Sequence, residues 1–270
     1  MLPREHGAWG LLFQPFAAGA ALSPAAPLLM LAAALLLLAG FATRAALLAL
    51  LRVWRQPRSA AGQLRTALSW LAAETAAIAL CLWLLWPHLS PRWRAGLLAG
   101  GPAFTLLAVW IGWTNRQRSR LFQTASAAVL ALSAPFAIQL GQGSVPSWGW
   151  MLWLVFVLHG AVVIQLVHER LQRRIAARGA AGPLRDSRVF LSAVCVQLAA
   201  GAALAFLDWR WFLPPLFSSL YALAERRTLR RTEALREPLT RVGWRTLALS
   251  VFHLLLSIAA FWPAAHPRPG

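Results

Sequence analysis

Nine apolar runs, separated by short arginine-bearing stretches, decide what this chain can fold into. They cover roughly 8–22, 25–42, 66–86, 95–113, 121–140, 147–167, 188–207, 209–224 and 245–262. A helix needs about 20 predominantly apolar residues to cross a hydrocarbon core about 30 Å thick. Lipid offers the backbone no hydrogen-bond partners, so runs of this kind cross as helices. Composition agrees, with 59% hydrophobic and 13% charged residues. The sequence therefore predicts an all-α polytopic membrane helix bundle of about nine transmembrane helices, residues 1–270 forming a single domain. The first and eighth runs are short and contain proline (Pro15; Pro214 and Pro215). Those two are expected to be kinked or only partly inserted.

The arginines set the expected orientation. All 26 Lys/Arg residues are arginine. Threading nine spans places Arg92, Arg94, Arg210 and Arg268 on one side and every other arginine on the opposite side. The positive-inside rule puts the arginine-rich side in the cytoplasm. The expected location is the bacterial cytoplasmic membrane, with the N-terminus inside and the C-terminal HPRPG outside. A net charge of +18 invites a nucleic-acid partner. Arginines spread over short loops are accounted for by topology instead, so the expected partner is the lipid bilayer and no nucleic acid.

Smaller signals fit the same reading. Glu5 and the Gln14-Pro15 interruption argue against a cleaved signal peptide. Cys81 and Cys195 lie inside apolar runs and read as small apolar filler. Tryptophans near span ends, among them Trp9, Trp86, Trp113, Trp150, Trp209 and Trp262, suit an aromatic belt. Residues 42–65 read as a helix running past the membrane, its arginines meeting anionic headgroups. Long arginine loops follow both the second and the sixth run, which suggests a pseudo-repeat of 1–113 and 116–224 with a final helix at 245–262.

Ionisable groups within the apolar runs are functional candidates by default. Glu74 lies in the third run, about 12 Å along the helix from Arg65. His159 and His253 lie near the middles of the sixth and ninth. Each has a plainer reading: a protonated glutamate bonded to a carbonyl, or a neutral histidine donating one hydrogen bond between helices. Two mid-membrane histidines also raise a bis-histidine haem. At the arginine-rich side stand Arg4-Glu5-His6 and His168-Glu169-Arg170. Together they could line a basic mouth for an anionic headgroup or a diphosphate. The plainer readings are helix-start chemistry for residues 4–6 and the positive-inside rule for the arginines.

The opening PREHGAWGLLFQPFAAGAAL resembles the start of the YwiC-like bacterial membrane proteins, which begin with a P-[RK]-E-H-G-A-W stretch before an apolar run with a proline. RQRSRLFQTASAAVLALSAPFAI (116–138) resembles the middle section of that family. The overall plan is similar to the UbiA prenyltransferase superfamily, which implies a site for an isoprenoid diphosphate. That superfamily holds Mg²⁺ with aspartate-rich motifs at the ends of helices 2 and 6. Here the corresponding stretches read FATRAALLALLRVWR and VHERLQRR, too poor in acids for Mg²⁺, which wants several oxygen ligands. Arg44, Arg52, Arg170 and Arg173 stand where the aspartates would be. The resemblance thus implies a UbiA-like scaffold with a basic cytoplasmic pocket for an isoprenoid diphosphate or anionic lipid, without Mg²⁺ chemistry. Its residues would be Arg4, Glu5, His6, Arg44, Arg52, His168, Glu169, Arg170 and Arg173, with no metal, no cofactor and no assigned catalytic group. The alternatives are an active prenyltransferase, a membrane transporter, or an assembly partner of a membrane complex. Glu74, His159 and His253 would suit a proton-linked carrier.

Overall fold

A computed structural model describes residues 6–23, 25–55, 61–114, 119–177, 186–229, 237 and 239–267, and among them every regular element is helical. The chain order is α1 (His6–Leu22), α2 (Pro27–Arg55), α3 (Ala61–Leu85), α4 (Pro91–Ala95), α5 (Gly101–Trp113), α6 (Arg120–Ala131), α7 (Ser133–Gln142), α8 (Ser147–Ala176), α9 (Asp186–Ala205), α10 (Leu213–Thr228) and α11 (Leu239–Ala265). A π-helical turn over Gly96–Gly100 joins α4 to α5, and a 3₁₀ turn over Trp209–Phe212 leads into α10. All nine apolar runs become helical. Among the described residues, 7 helical stretches are long and apolar enough to cross a membrane. The two that are not are the first and eighth runs: α1 contributes only Gly10–Leu22 as apolar helix, and α10 has 16 residues. The chain is a polytopic helical membrane protein. α2 does run on past the second apolar run, reaching Arg55.

Prolines mark where helices start or bend. Pro91, Pro102 and Pro214 sit in the first turns of α4, α5 and α10, where a missing N–H costs nothing. Leu132 breaks the fifth span into α6 and α7, three residues before Pro135. α7 ends at Gly143, whose φ of 72° is left-handed.

The centre is built on close backbone contact. Every residue from Ser133 to Leu140 is buried, so α7 is covered on all sides. α1 lies directly against it. A Cβ on Gly19 would sit 2.3 Å from the Ala134 carbonyl oxygen, and one on Gly141 would sit 2.2 Å from that of Ser23. The Ser133 hydroxyl donates to the Leu12 carbonyl (2.9 Å). Small residues that let backbones approach are the usual means of helix association in lipid. Leu22, Ile138, Leu152, Phe156 and Phe261 join α1, α7, α8 and α11 in one core. Phe16, Leu36, Leu85 and Phe136 tie the α2–α3 hairpin to its other side. α9 and α10 complete the α8 flank through Phe190, Val194 and Ala222. Leu80, Trp83, Leu106 and Trp110 point outward from α3 and α5, as lipid-facing side chains do.

Candidate functional site

Helical spacing brings three inward faces together. On α8, His159, Val162, Leu166 and Arg170 recur every three or four residues; on α10, Ser218, Ala222 and Glu225 do the same; on α11, Thr246, Leu249 and His253 follow suit. These faces enclose a cleft of about 30 Å³ with walls of Val162, Leu166, Ala222 and Leu249, hydroxyls from Ser218, Tyr221 and Thr246, and Arg170 and Glu225 at one end. A water needs roughly 10–15 Å³ of such volume, so the cleft holds about two or three waters and is too small for a diphosphate.

Behind Ser218, which lines the cleft, lies a histidine pair. His159 and His253 are 2% and 0% exposed. His159 Nδ1 lies 2.7 Å from Ser218 Oγ. The two imidazoles stack with centroids 3.9 Å apart at 16°, and Phe156 packs its edge on His253. Neither ring nitrogen of His253 has a hydrogen-bond partner among the described residues. A buried polar nitrogen left so costs about 1–3 kcal/mol, which singles out His253 as a group whose placement needs an explanation. The geometry is not that of haem ligands, which approach iron from opposite faces of the porphyrin.

The outer end is ionic. Glu169-Arg170 on α8 and Glu225-Arg226 on α10 pair reciprocally: Glu169 with Arg226 (3.1 Å) and Arg170 with Glu225 (2.9 Å). Arg170 also reaches Glu237 (3.1 Å), and Arg245 of α11 reaches both Glu225 (2.6 Å) and Glu237 (3.2 Å). Two arginines and two glutamates thus alternate around a closed ring. Beside it Arg173 holds Glu169 (2.6 Å), whose side chain is 2% exposed. Arg174 donates to the Glu237 carbonyl, tying the connection between α10 and α11 to α8. The chain has only 8 acidic residues, and Glu169, Glu225 and Glu237 all serve this cluster.

The expected site residues are dispersed. Glu169, Arg170 and Arg173 meet in the ionic cluster. His168 faces the other way, its Nε2 2.8 Å from Gln123 Oε1 on α6. Arg44 lines a separate cleft with residues of α5 and α6. Arg4 and Glu5 lie outside the described residues, as do the side chains of His6 and Arg52. Glu74 is buried against α2, and neither carboxylate oxygen has a hydrogen-bond partner among the described residues. Thr43, the α2 hydroxyl beside it, donates to the Ala39 carbonyl instead (2.8 Å). Sequence reasoning missed Ser218, Tyr221, Glu225, Arg226, Glu237 and Arg245. The signal available for three of them was the Glu-Arg dipeptide repeated in HERLQRR and AERRTLRR, with its reverse in REPLTR.

A family model described as YwiC-like protein matches residues 2–138. No curated protein matches the chain, and no solved structure does.

Proposed function

The chain belongs to the YwiC-like protein family, and on that premise we propose that it is a proton-linked membrane carrier of the bacterial cytoplasmic membrane, with its arginine-rich end in the cytoplasm. The observation that carries this reading is His159, stacked on His253, with its Nδ1 at 2.7 Å from Oγ of Ser218, the residue that lines the cleft. An imidazole is the side chain best suited to taking up and releasing a proton near neutral pH. Ser218 lines the cleft and touches the imidazole, so its hydroxyl can accept a proton from cleft water while donating to the ring. His159 and Arg170 are eleven residues apart, about 16 Å along α8, and the ionic ring closes the cleft at that distance. Parting the ring would open a path from the arginine-rich end to mid-membrane. Broken spans such as α6–α7 are how carriers commonly place polar groups at that depth.

The test uses the full chain in liposomes with pyranine trapped inside and an inside-negative potassium–valinomycin potential. Amino acids, organic acids and sugars are added outside in turn. Proton entry above protein-free liposomes, lost in His159→Ala and kept in Arg173→Ala, supports the carrier. Equal entry in wild type and His159→Ala rejects it.

A second reading keeps a UbiA-like scaffold, a pseudo-repeat of 1–113 and 116–224, and an isoprenoid diphosphate or anionic lipid at the α8–α10 mouth. The grouping of Arg170, Arg173, Arg226 and Arg245 there supports it. Their acidic partners and the size of the cleft weigh against it. Saturable binding of a labelled polyprenyl diphosphate that survives EDTA and weakens about tenfold in Arg170→Ala would favour this second reading. Product formation with an aromatic acceptor would extend it to prenyl transfer.

A further inference from the structure

One acid of the ionic cluster differs from the others. Glu169 and Glu225 belong to α8 and α10, whereas Glu237 lies between α10 and α11, in a bend outside both helices. Its carboxylate is held as a ligand would be. Arg245 reaches both oxygens, Nη1 to Oε1 (3.5 Å) and Nη2 to Oε2 (3.2 Å), and Arg170 Nη2 donates to Oε2 (3.1 Å). Two guanidiniums converging on one planar group, one of them as a fork, is the arrangement that recognises a carboxylate. The arginines do not depend on Glu237 alone. Glu225 Oε1 also bridges them, accepting from Arg170 (2.9 Å) and from Arg245 (2.6 Å), so each keeps an acidic partner without Glu237. Glu237 and Arg245 are also the ring members within reach of water, with side chains 14% and 40% exposed.

The surroundings decide what could take its place. Arg170, Arg173, Arg174, Arg226 and Arg245 gather around Glu169, Glu225 and Glu237. The excess is positive with Glu237 in place and larger without it, so an anion is drawn in and an ammonium is opposed. Arg170 also lines the histidine-side cleft, whose walls Val162, Leu166, Ala222 and Leu249 are apolar and whose volume is about 30 Å³. Room for about two or three waters admits only a short, apolar body behind the charged head. We infer that the seat filled by Glu237, between Arg170 and Arg245, is the binding site of a short monocarboxylate, which displaces Glu237 and is the anion that moves with the proton. The transport step rests on the carrier reading; the binding does not. Glu237 is then a tethered competitor that closes the mouth when the anion is absent. One carboxylate replaces another on the same guanidiniums, so no charge is stranded as the ring parts. Carboxylate and proton together carry no net charge, which removes the main cost of crossing an apolar interior.

Scintillation-proximity binding of radiolabelled pyruvate to the full chain in detergent tests the seat. Glu237→Ala removes the competitor and should bind pyruvate at least tenfold more tightly than wild type, which is ~1.4 kcal/mol. Adding Arg245→Gln should abolish that gain, whereas adding Arg210→Gln, in the 3₁₀ turn before α10, should not. Unlabelled pyruvate should displace the label, and pyruvamide and inorganic phosphate should not. If Glu237→Ala fails to fold, Glu237→Gln keeps the length without the charge and should tighten binding in the same direction. Binding no tighter than wild type in the folded Glu237 variant overturns the proposal. So does a gain that survives Arg245→Gln, or displacement by pyruvamide or phosphate as effective as by pyruvate. The liposome assay separates this from the carrier reading. Proton entry with pyruvate supports both. Entry with sugars or amino acids but not with pyruvate overturns the monocarboxylate and leaves the carrier standing. No entry with any solute sinks the carrier, and the binding arm still decides the seat.

Discussion

Glu169 shows what one residue can mean in a chain with so few acids. It is 2% exposed and accepts from both Arg173 and Arg226. Removing one member of a buried ion pair costs about 3–5 kcal/mol, because the remaining charge is left without compensation. Glu169→Gln strands two arginines at once, so thermal melts of the detergent-purified protein should show a loss in that range. Ser218→Ala removes one hydrogen bond to His159, worth roughly 1 kcal/mol, and should lower the melting temperature far less while slowing any proton entry. A larger stability loss from Ser218→Ala than from Glu169→Gln would invert this ranking. The two residues differ in how they could be read beforehand. Glu169 stands out in VHERLQRR because an acid among arginines is conspicuous. Ser218 sits in LFSSLYALAERR, where a serine looks like any small residue of a membrane helix. Its role comes from packing against His159, fifty-nine positions away, and no local pattern records that. His253 was legible as a mid-membrane histidine, but its stacking on His159 was not.

Elements were more legible than contacts, because a span announces itself by length and hydropathy while its neighbours do not. The first and eighth runs read as short and proline-bearing, and they are the two runs, carried by α1 and α10, that do not form a helical stretch long enough to qualify as a span. The burial of α7 was not legible: SAPFAIQL is no more apolar than its neighbours. It becomes central only because Gly19 and Gly141 let α1 approach its backbone. A methyl at Gly141 has the Ser23 backbone carbonyl as well as its hydroxyl in its way, and overpacking of this kind costs about 1–3 kcal/mol or more. Gly141→Ala should therefore lower the melting temperature clearly, while Gly96→Ala, with nothing within 4 Å, should not. The reciprocal Glu-Arg pairs of α8 and α10 make a sharper claim about elements. If they fix how the two helices sit, Arg170→Glu alone should destabilise strongly. Adding Glu225→Arg should restore part of the loss, since opposite charges again face each other. The ring through Glu237 and Arg245 will not be fully rebuilt by the swap, so recovery should be incomplete. No recovery at all would mean that the pairs follow the packing instead of setting it.

For the whole molecule the open quantity is orientation, and parity constrains it. With all nine runs crossing, the two ends of the chain lie on opposite sides. If α1 and α10 both failed to cross, seven crossings would remain and the ends would still be opposed. Only the failure of one alone would bring them together. The arginines separate these cases. Were α10 to stay on one side, Arg210 would join the arginines after α10 and the charge bias would weaken. The geometry argues the same way, because Glu225 and Arg226 at the end of α10 meet Glu169 and Arg170 near the end of α8. α8 is long enough to span, at 30 residues, and its basic last turns belong at the arginine-rich side. α10 therefore brings its C-terminal end beside that of α8, which agrees with the expected topology in which Arg210 before it lies on the other side. A C-terminal alkaline phosphatase fusion should accordingly be active and a C-terminal green fluorescent protein fusion dark, with the reverse for fusions placed after residue 229. Two active phosphatase fusions, or two fluorescent ones, would mean that α11 does not cross. In that case His253 could not stand at mid-membrane depth beside His159, and the carrier reading would lose its central pair.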